Sequence, residues 1–291
     1  MPRPRRSVLF VPGVNARAME KVRELKTDGL IFDLEDSVAP DAKPAARAQI
    51  AAALKQGGYG KRELVLRVNG ATTPWQRDDL AFAATLPIDA VLLPKTENAD
   101  EVRAAERALE TAGASPQVAL WCMMETPRGF LHAEAIASSS KRLAALVMGT
   151  EDLGKDLHAS PRPDRGPFLA AMQICVLAAR AFGLSPLDSV YRDFGDDTGL
   201  AAQCRQARDL GYDGKTLIHP RQVAIANQEF APSAAELDEA RALIAAFEAA
   251  ATAGKGVAAN NGQMVEKLHV DAAKHLLAVA AAIAELEASR G

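Results

Sequence analysis

A chain of 291 residues, 48% of them apolar and with a mean hydropathy of −0.06, can build one large core or two modest ones. Its 34 Lys and Arg stand against 37 Asp and Glu. A net charge of −3 gives no electrostatic reason to bind nucleic acid or an anionic membrane.

The opening PRPRR (2–6) is basic, but no long apolar region follows it, so it does not read as a secretory signal. SVLFVP (7–12) begins a series of short runs rich in Val, Leu and Ile. The others are GLIFDLE (29–35), ELVLRVN (63–69), AVLLPK (90–95), ALWCMME (119–125), LAALVMG (143–149), PLDSVY (186–191) and GKTLIHP (214–220). Such runs suit strands buried on both faces. Between them lie helical stretches such as ARAMEKVREL (16–25), ADEVRAAERALETAG (99–113) and GPFLAAMQICVLAARAFG (166–183). This alternation predicts an α/β fold, a (β/α)8 TIM barrel, with PLDSVY the weakest strand because Asp188 interrupts it.

After His219 the pattern changes. Residues 233–254 read as a long amphipathic helix with a Ser N-cap and a Gly stop, 255–265 as a small hairpin with Asn-Gly at its turn, and 265–288 as a second helix. The chain is thus expected to divide into a catalytic barrel (1–230) and a C-terminal helical extension (231–291), either capping the barrel or reaching to a neighbouring subunit. The longest apolar run, LLAVAAAIAEL (276–286), is too short to span a bilayer. Cys122, Cys175 and Cys204 are widely spaced with no CxxC pair, which fits a reducing cytoplasm and argues against disulfides or a zinc site.

In a barrel the chemistry sits at the carboxyl ends of the strands. Those ends carry Asp33, Glu35 and Asp36; Arg67 and Asn69; Lys95; Glu125, Thr126 and Arg128; Glu151 and Asp152; and His219. Five adjacent strands ending in charge predict one site. Glu125 and Asp152, without His or Cys nearby, suit a hard cation such as Mg²⁺; the alternative is ordinary ion pairing with Arg67, Lys95 or Arg128. The acids of DLED add negative potential around such a cation, or Asp36 and Ser37 cap a helix. A guanidinium at the end of a core strand, as at Arg67, calls for an anionic partner. MGTEDLGKD (148–156) reads as an anion cradle, Gly149 permitting an unusual backbone and the helix start near Asp152 offering N–H groups. His219 is read as a ligand contact or as a loop histidine bonded to backbone. No GxSxG, P-loop or GxGxxG follows the first strand.

SVLFVPG, FDLEDSV, LRVNG, LLPK, METPRG, MGTEDLGKDL, GYDGKTLIHPRQV and NGQMV together resemble, in order, the citrate lyase β-subunit-like family of CoA-ester lyases, over nearly the whole chain. The resemblance implies a Mg²⁺-dependent carbon–carbon lyase of malyl-CoA or citramalyl-CoA type, assembled as a trimer or a hexamer. A malyl-CoA-type thioesterase or a citrate lyase β subunit is the alternative, and a silent binding protein is disfavoured by the intact acids and Arg67. Glu125 and Asp152 match the metal ligands, and Arg67 the substrate-orienting arginine. Glu151 and Asp152 match the carboxylate-binding turn, and Arg17, Lys43 and Arg47 positions near CoA. Where many relatives carry an aspartate in the C-terminal arm, the aligned residue is Glu266. The catalytic set expected is Arg67, Glu266 and Asp36.

Overall fold

A computed structural model of the chain describes residues 2–252, 258–260 and 263–289. Contacts divide it into one unit of Arg5–Phe230 and another of Met1–Pro4 with Ala231–Gly291.

The larger unit is a closed barrel of eight parallel strands: β1 (Ser7–Pro12), β2 (Gly29–Asp33), β3 (Glu63–Arg67), β4 (Ala90–Leu93), β5 (Ala119–Met124), β6 (Leu143–Met148), β7 (Ser185–Asp188) and β8 (Gly214–Leu217). Its helices are α1 (Ala16–Lys21), α2 (Lys43–Gln56), α3 (Gln76–Ala83), α4 (Ala99–Thr111), α5 (Pro127–Leu131), α6 (Ala133–Ala137), α7 (Thr150–Asp156), α8 (Leu169–Ala181), α9 (Asp197–Leu210) and α10 (Gln222–Phe230). The helices start and stop where side chains satisfy free backbone groups. Asn98 accepts from the N–H groups of Asp100 and Glu101 at the head of α4, and α9 ends at Gly211 with φ +101°, where a side chain would be strained.

Side chains alternate between the inside of the barrel and the helical layer. Val8, Ile31, Val65, Leu92, Trp121 and Val147 pack in the inner cluster. Two residues beyond Ile31 and Val65 the same inward face is reached by Asp33 and Arg67, which lie opposite each other in the β2–β3 register. Alternation alone therefore delivers an acid and a base to the mouth of the core.

β1 spans its whole run, whereas the other strands end one to three residues sooner than the sequence runs suggest, because the last residues of those runs turn into the loops. Asp188 does not interrupt β7. It closes that strand, fully buried, where Arg165 Nη1 donates to both of its oxygens at 2.8 Å and Lys215 Nζ to one of them at 2.7 Å. Cys122, Cys175 and Cys204 are free and buried.

In the smaller unit α11 (Ala234–Thr252) precedes an antiparallel pair, β9 (Ala258–Asn260) and β10 (Gln263–Val265), and then α12 (Lys267–Ala288). The expected Ser N-cap is present: Glu236 N–H donates to Ser233 Oγ at 3.2 Å while Ser233 N–H donates to Glu236 Oε2 at 2.7 Å. The predicted stop at Gly254 and the Asn261–Gly262 turn lie outside the described residues. Val265 and Val270 pack with Leu243, Ile244 and Phe247. Among the described residues no helix is long and apolar enough to cross a membrane.

Candidate active site

At the carboxyl end of the barrel Arg67 binds Asp33 in a fork, Nε to Oδ1 at 2.7 Å and Nη2 to Oδ2 at 2.8 Å. Its Nη1 lies 2.9 Å from Glu35 Oε2 and its plane sits 4.7 Å above the ring of Phe10. Asp33 also accepts the backbone N–H groups of Glu35 and Ser37, at 2.9 and 3.1 Å. Burial alone would raise the Asp33 carboxyl, but Arg67 and these donors hold it below the ordinary carboxylate range. Arg67 is thereby fixed in place, its side chain only 10% exposed.

Lys95 is the second cation. Its φ of +49° is uncommon for a residue with a side chain, and it aims the backbone N–H at Glu125 Oε1, 2.7 Å away. The Lys95 ammonium is bound to Glu35 Oε1 and lies 3.6 Å from Asp36 Oδ1 and 3.4 Å from Asp152 Oδ2. Burial pushes the Glu125 carboxyl up to about 7, with the Glu35 charge adding to the rise. Burial also raises Glu35, against the pull of Arg67 and Lys95. Its buried Oε2, though close to Arg67, has no well-aligned hydrogen bond.

Gly149 has a role different from the one its sequence suggests. Its φ of −123° is ordinary extended backbone. A Cβ there would stand 2.5 Å from Glu125 Cβ and 2.6 Å from Glu125 Oε2. Glycine is needed to make room for the carboxylate, not for an unusual conformation.

Two cavities open here. One, of about 400 Å³, is walled by Phe10, Met123 and Met148 and by Arg67, Glu125 and Asp152. The other, of about 610 Å³, is lined by Asn69, Gly70, Trp75, Lys95 and Thr126, with Asp36 common to both. Among the described residues no three His, Cys, Asp or Glu side chains close into a ready ligand shell. A cation between Glu125 and Asp152 would complete its shell with oxygens of water or substrate, as Mg²⁺ commonly does. The donors fit such an ion. They are all carboxylate oxygens, one of them buried at the edge of the cavity, with backbone cut away at Gly149 to admit it.

The remaining predicted residues divide by what their side chains touch. Asp36 is largely exposed, 3.9 Å from Arg67, and caps no helix. Glu151 and Asp152 occupy the first turn of α7, where negative charge is favourable, and Glu151 Oε2 lies 3.1 Å from Arg192. Thr126 caps α5, and Arg128 is exposed near Glu97. His219 takes the backbone option: its Nδ1 accepts from Arg221 N–H and its ring stacks on Phe194.

Lys43, expected near CoA, lines the larger cavity, but its ammonium is engaged by the protein itself. Its ammonium donates to the carbonyls of Leu34, Glu35 and Val38, and an ammonium has three N–H groups, so none is free for a ligand. Its task is to hold the loop that carries the acids. Arg47 is turned to Asp79, whose other oxygen accepts from Asn69, and Arg17 lies exposed on α1. In the C-terminal unit Glu266 is the N-cap of α12, its backbone N–H donating to His269 Nδ1 at 3.0 Å. Phe10 and Met123, which frame Arg67, escaped sequence reasoning. The inward alternation of SVLFVP and ALWCMM was the signal that marks them.

A profile of HpcH/HpaI aldolase/citrate lyase proteins matches residues 6–220, which include all eight barrel strands. The chain belongs to that family. Over 286 residues it is 48% identical to (3S)-malyl-CoA thioesterase of Cereibacter sphaeroides, covering 98% of each chain. It is 36% identical to citrate lyase subunit beta of Escherichia coli, over 94% of this chain and 93% of that one. It is also 36% identical to L-malyl-CoA/β-methylmalyl-CoA lyase of C. sphaeroides, over 91% of each. Among solved family structures, CitE of Mycobacterium tuberculosis in complex with magnesium, acetoacetate and coenzyme A superposes with a TM-score of 0.78. That likeness comes at 30% identity and covers 94% of this chain and 97% of that one.

Proposed function

We propose that this protein is a Mg²⁺-dependent thioesterase that hydrolyses a malyl-CoA-type ester to the free hydroxy acid and CoA. The observation that carries the reading is the 48% identity with (3S)-malyl-CoA thioesterase along 98% of both chains. It replaces the carbon–carbon lyase expected from the sequence motifs as the leading reading. The site supports the substrate class. A cavity of about 400 Å³ with one fixed guanidinium and two cation-ligating carboxylates suits a small hydroxycarboxylate head group, and the adjoining cavity suits the thioester arm.

Glu125 and Asp152 would hold the cation, which when bound supplies a Lewis acid for the carboxylate and hydroxyl of the head group. Arg67, locked by Asp33 and stacked on Phe10, presents a fixed positive field to charge developing on the thioester oxygen. Asp36 stands where the cavities meet and is the exposed carboxylate placed to take a proton from an attacking water. The water oxygen bonds to the thioester carbon, the C–S bond breaks, and the departing thiolate takes up a proton.

The lyase is the second reading, favoured by the 36% identity with malyl-CoA/β-methylmalyl-CoA lyase and by the same acids and arginine. Both reactions need the cation and a polarised thioester, so products decide between them. Purified protein with Mg²⁺ and (3S)-malyl-CoA is expected to release CoA and malate. Glyoxylate with acetyl-CoA would overturn the thioesterase and establish the lyase. Glu266, in the catalytic set that the resemblance implies, is proposed to move a proton at the site of a neighbouring subunit; wild-type turnover in Glu266→Gln would remove that role. A cytoplasmic homotrimer or hexamer remains the expected setting, checked by light scattering of the purified protein.

A further inference from the structure

We infer that Lys95 is an internal counter-cation for the acids around the metal site, and that a divalent ion binding at Asp152 displaces its ammonium from that carboxylate. The inference rests on the metal reading of Glu125 and Asp152 given above.

Lys95 touches both ligand carboxylates in two different ways. Its backbone N–H donates to Glu125 Oε1 at 2.7 Å, a contact no side-chain substitution removes. Its ammonium bridges Glu35, Asp36 and Asp152, spanning acids from the β2 loop and from α7. No other cation in the cluster is so placed. Arg67 is committed to Asp33 and Glu35 with its side chain 10% exposed, whereas the Lys95 side chain is 37% exposed and rides on a flexible stem. The carboxylates Glu35, Asp36 and Asp152 would otherwise repel one another across the partly dry space between the two cavities. An ammonium among them supplies, as a mobile charge, what a bound divalent ion supplies permanently. A divalent ion on Asp152 would stand close to the ammonium 3.4 Å from Oδ2, and like-charge repulsion would drive Lys95 away from Asp152 toward Glu35, which it already binds, and Asp36. Lys95 thus opposes metal binding and holds Glu35, Asp36 and Asp152 together, which makes it a positioning residue.

The test is equilibrium binding of Mn²⁺ to the full-length protein, followed by the electron paramagnetic resonance of free Mn²⁺, in wild type, Lys95→Met and Lys95→Arg. Methionine keeps the stem and the backbone contact while deleting the charge. The expected result is Mn²⁺ affinity at least about tenfold tighter in Lys95→Met, and within about threefold of wild type in Lys95→Arg, since a charge removed beside the ion acts at short range. A second readout is thermal melting: metal-free Lys95→Met should melt below wild type, and saturating Mn²⁺ should close the gap. Unchanged or weaker Mn²⁺ binding in Lys95→Met, or equal metal-free melting, would overturn the inference, as would a wild type that binds no Mn²⁺. A wild type that binds Mn²⁺ yet leaves malyl-CoA intact sinks the thioesterase reading alone, and the Mn²⁺ comparison still decides the role of Lys95.

Discussion

Two ionic clusters lie within the barrel unit, one inside its mouth and one in its wall, and they are built on opposite terms. In the wall, Asp188 is enclosed by Arg165 and Lys215, and Gln203 and Gln206 take up further N–H groups of those cations. Its partners saturate it, so that although Arg165 and Gln203 also line a cavity of about 430 Å³, Asp188 itself does not. At the mouth, Asp33, Glu35, Asp36, Glu125 and Asp152 share only Arg67 and Lys95. Glu35 keeps a buried oxygen without a well-aligned bond, and Glu125 is pushed up to about 7 by burial. Each cluster uses a cation in left-handed backbone, Arg165 at φ +54° and Lys95 at φ +49°, a conformation that costs on the order of 1–3 kcal/mol and persists only where surroundings enforce it. The comparison teaches that buried charge by itself does not mark function. Charge left uncompensated beside open space does.

The sharpest way to break this contrast is to neutralise one acid in each cluster. Glu125→Gln should lower metal-dependent CoA release by ~10³-fold, the scale for removing a principal electrostatic group. It should leave the melting temperature unchanged or higher, because a buried charge has been removed. Thiol-coupled CoA detection and calorimetry would check both, and a mutant retaining more than a tenth of wild-type turnover would remove Glu125 from the metal site.

Asp188→Asn should do the reverse, costing about 3–5 kcal/mol of stability at neutral pH by leaving two buried cations unpaired, with turnover of the folded fraction preserved. Burial raises the Asp188 carboxyl, but Lys215 and Arg165 more than offset it and hold the group below its ordinary 3.8. A carboxyl depressed in the folded state stabilises fully above its unfolded value, and that contribution is lost as pH falls through the folded value. Urea titrations should therefore show the gap between wild type and Asp188→Asn narrowing only below about pH 4. A constant gap at all pH would show that Asp188 acts by packing alone.

Gly149→Ala should produce the smallest effect, a loss of roughly 10–100-fold in cation affinity, comparable to disturbing a group that orients a ligand. The new methyl would meet Glu125 at 2.5 Å and must push it aside. Mn²⁺ titration measures this directly; unchanged affinity would mean that Glu125 can rotate away without leaving the ion.

Local signals carried the barrel. Short runs of Val, Leu and Ile separated by helical stretches are enough to specify eight strand–helix units, because buried parallel strands need continuous apolar side chains and their crossovers need helices. The ends of those runs also placed Asp33 and Arg67 at the mouth, and period-two alternation marks Phe10 and Met123 once it is applied to every strand. What a linear reading cannot provide is occupancy. Lys43 and Lys95 are both lysines near the same acids, yet one spends its three N–H groups on backbone carbonyls and the other bridges carboxylates from the β2 loop and α7. Gly149 looked like a conformational device and is a steric one, since the close approach comes from Glu125, just past the end of the neighbouring strand β5. The sequence by itself determined the barrel and which charges gather at its mouth, through patterns that depend on neighbours one to four residues away. Only tertiary structure decided which of those charges are already spent, because partners there lie dozens of residues apart and compete for the same few oxygens.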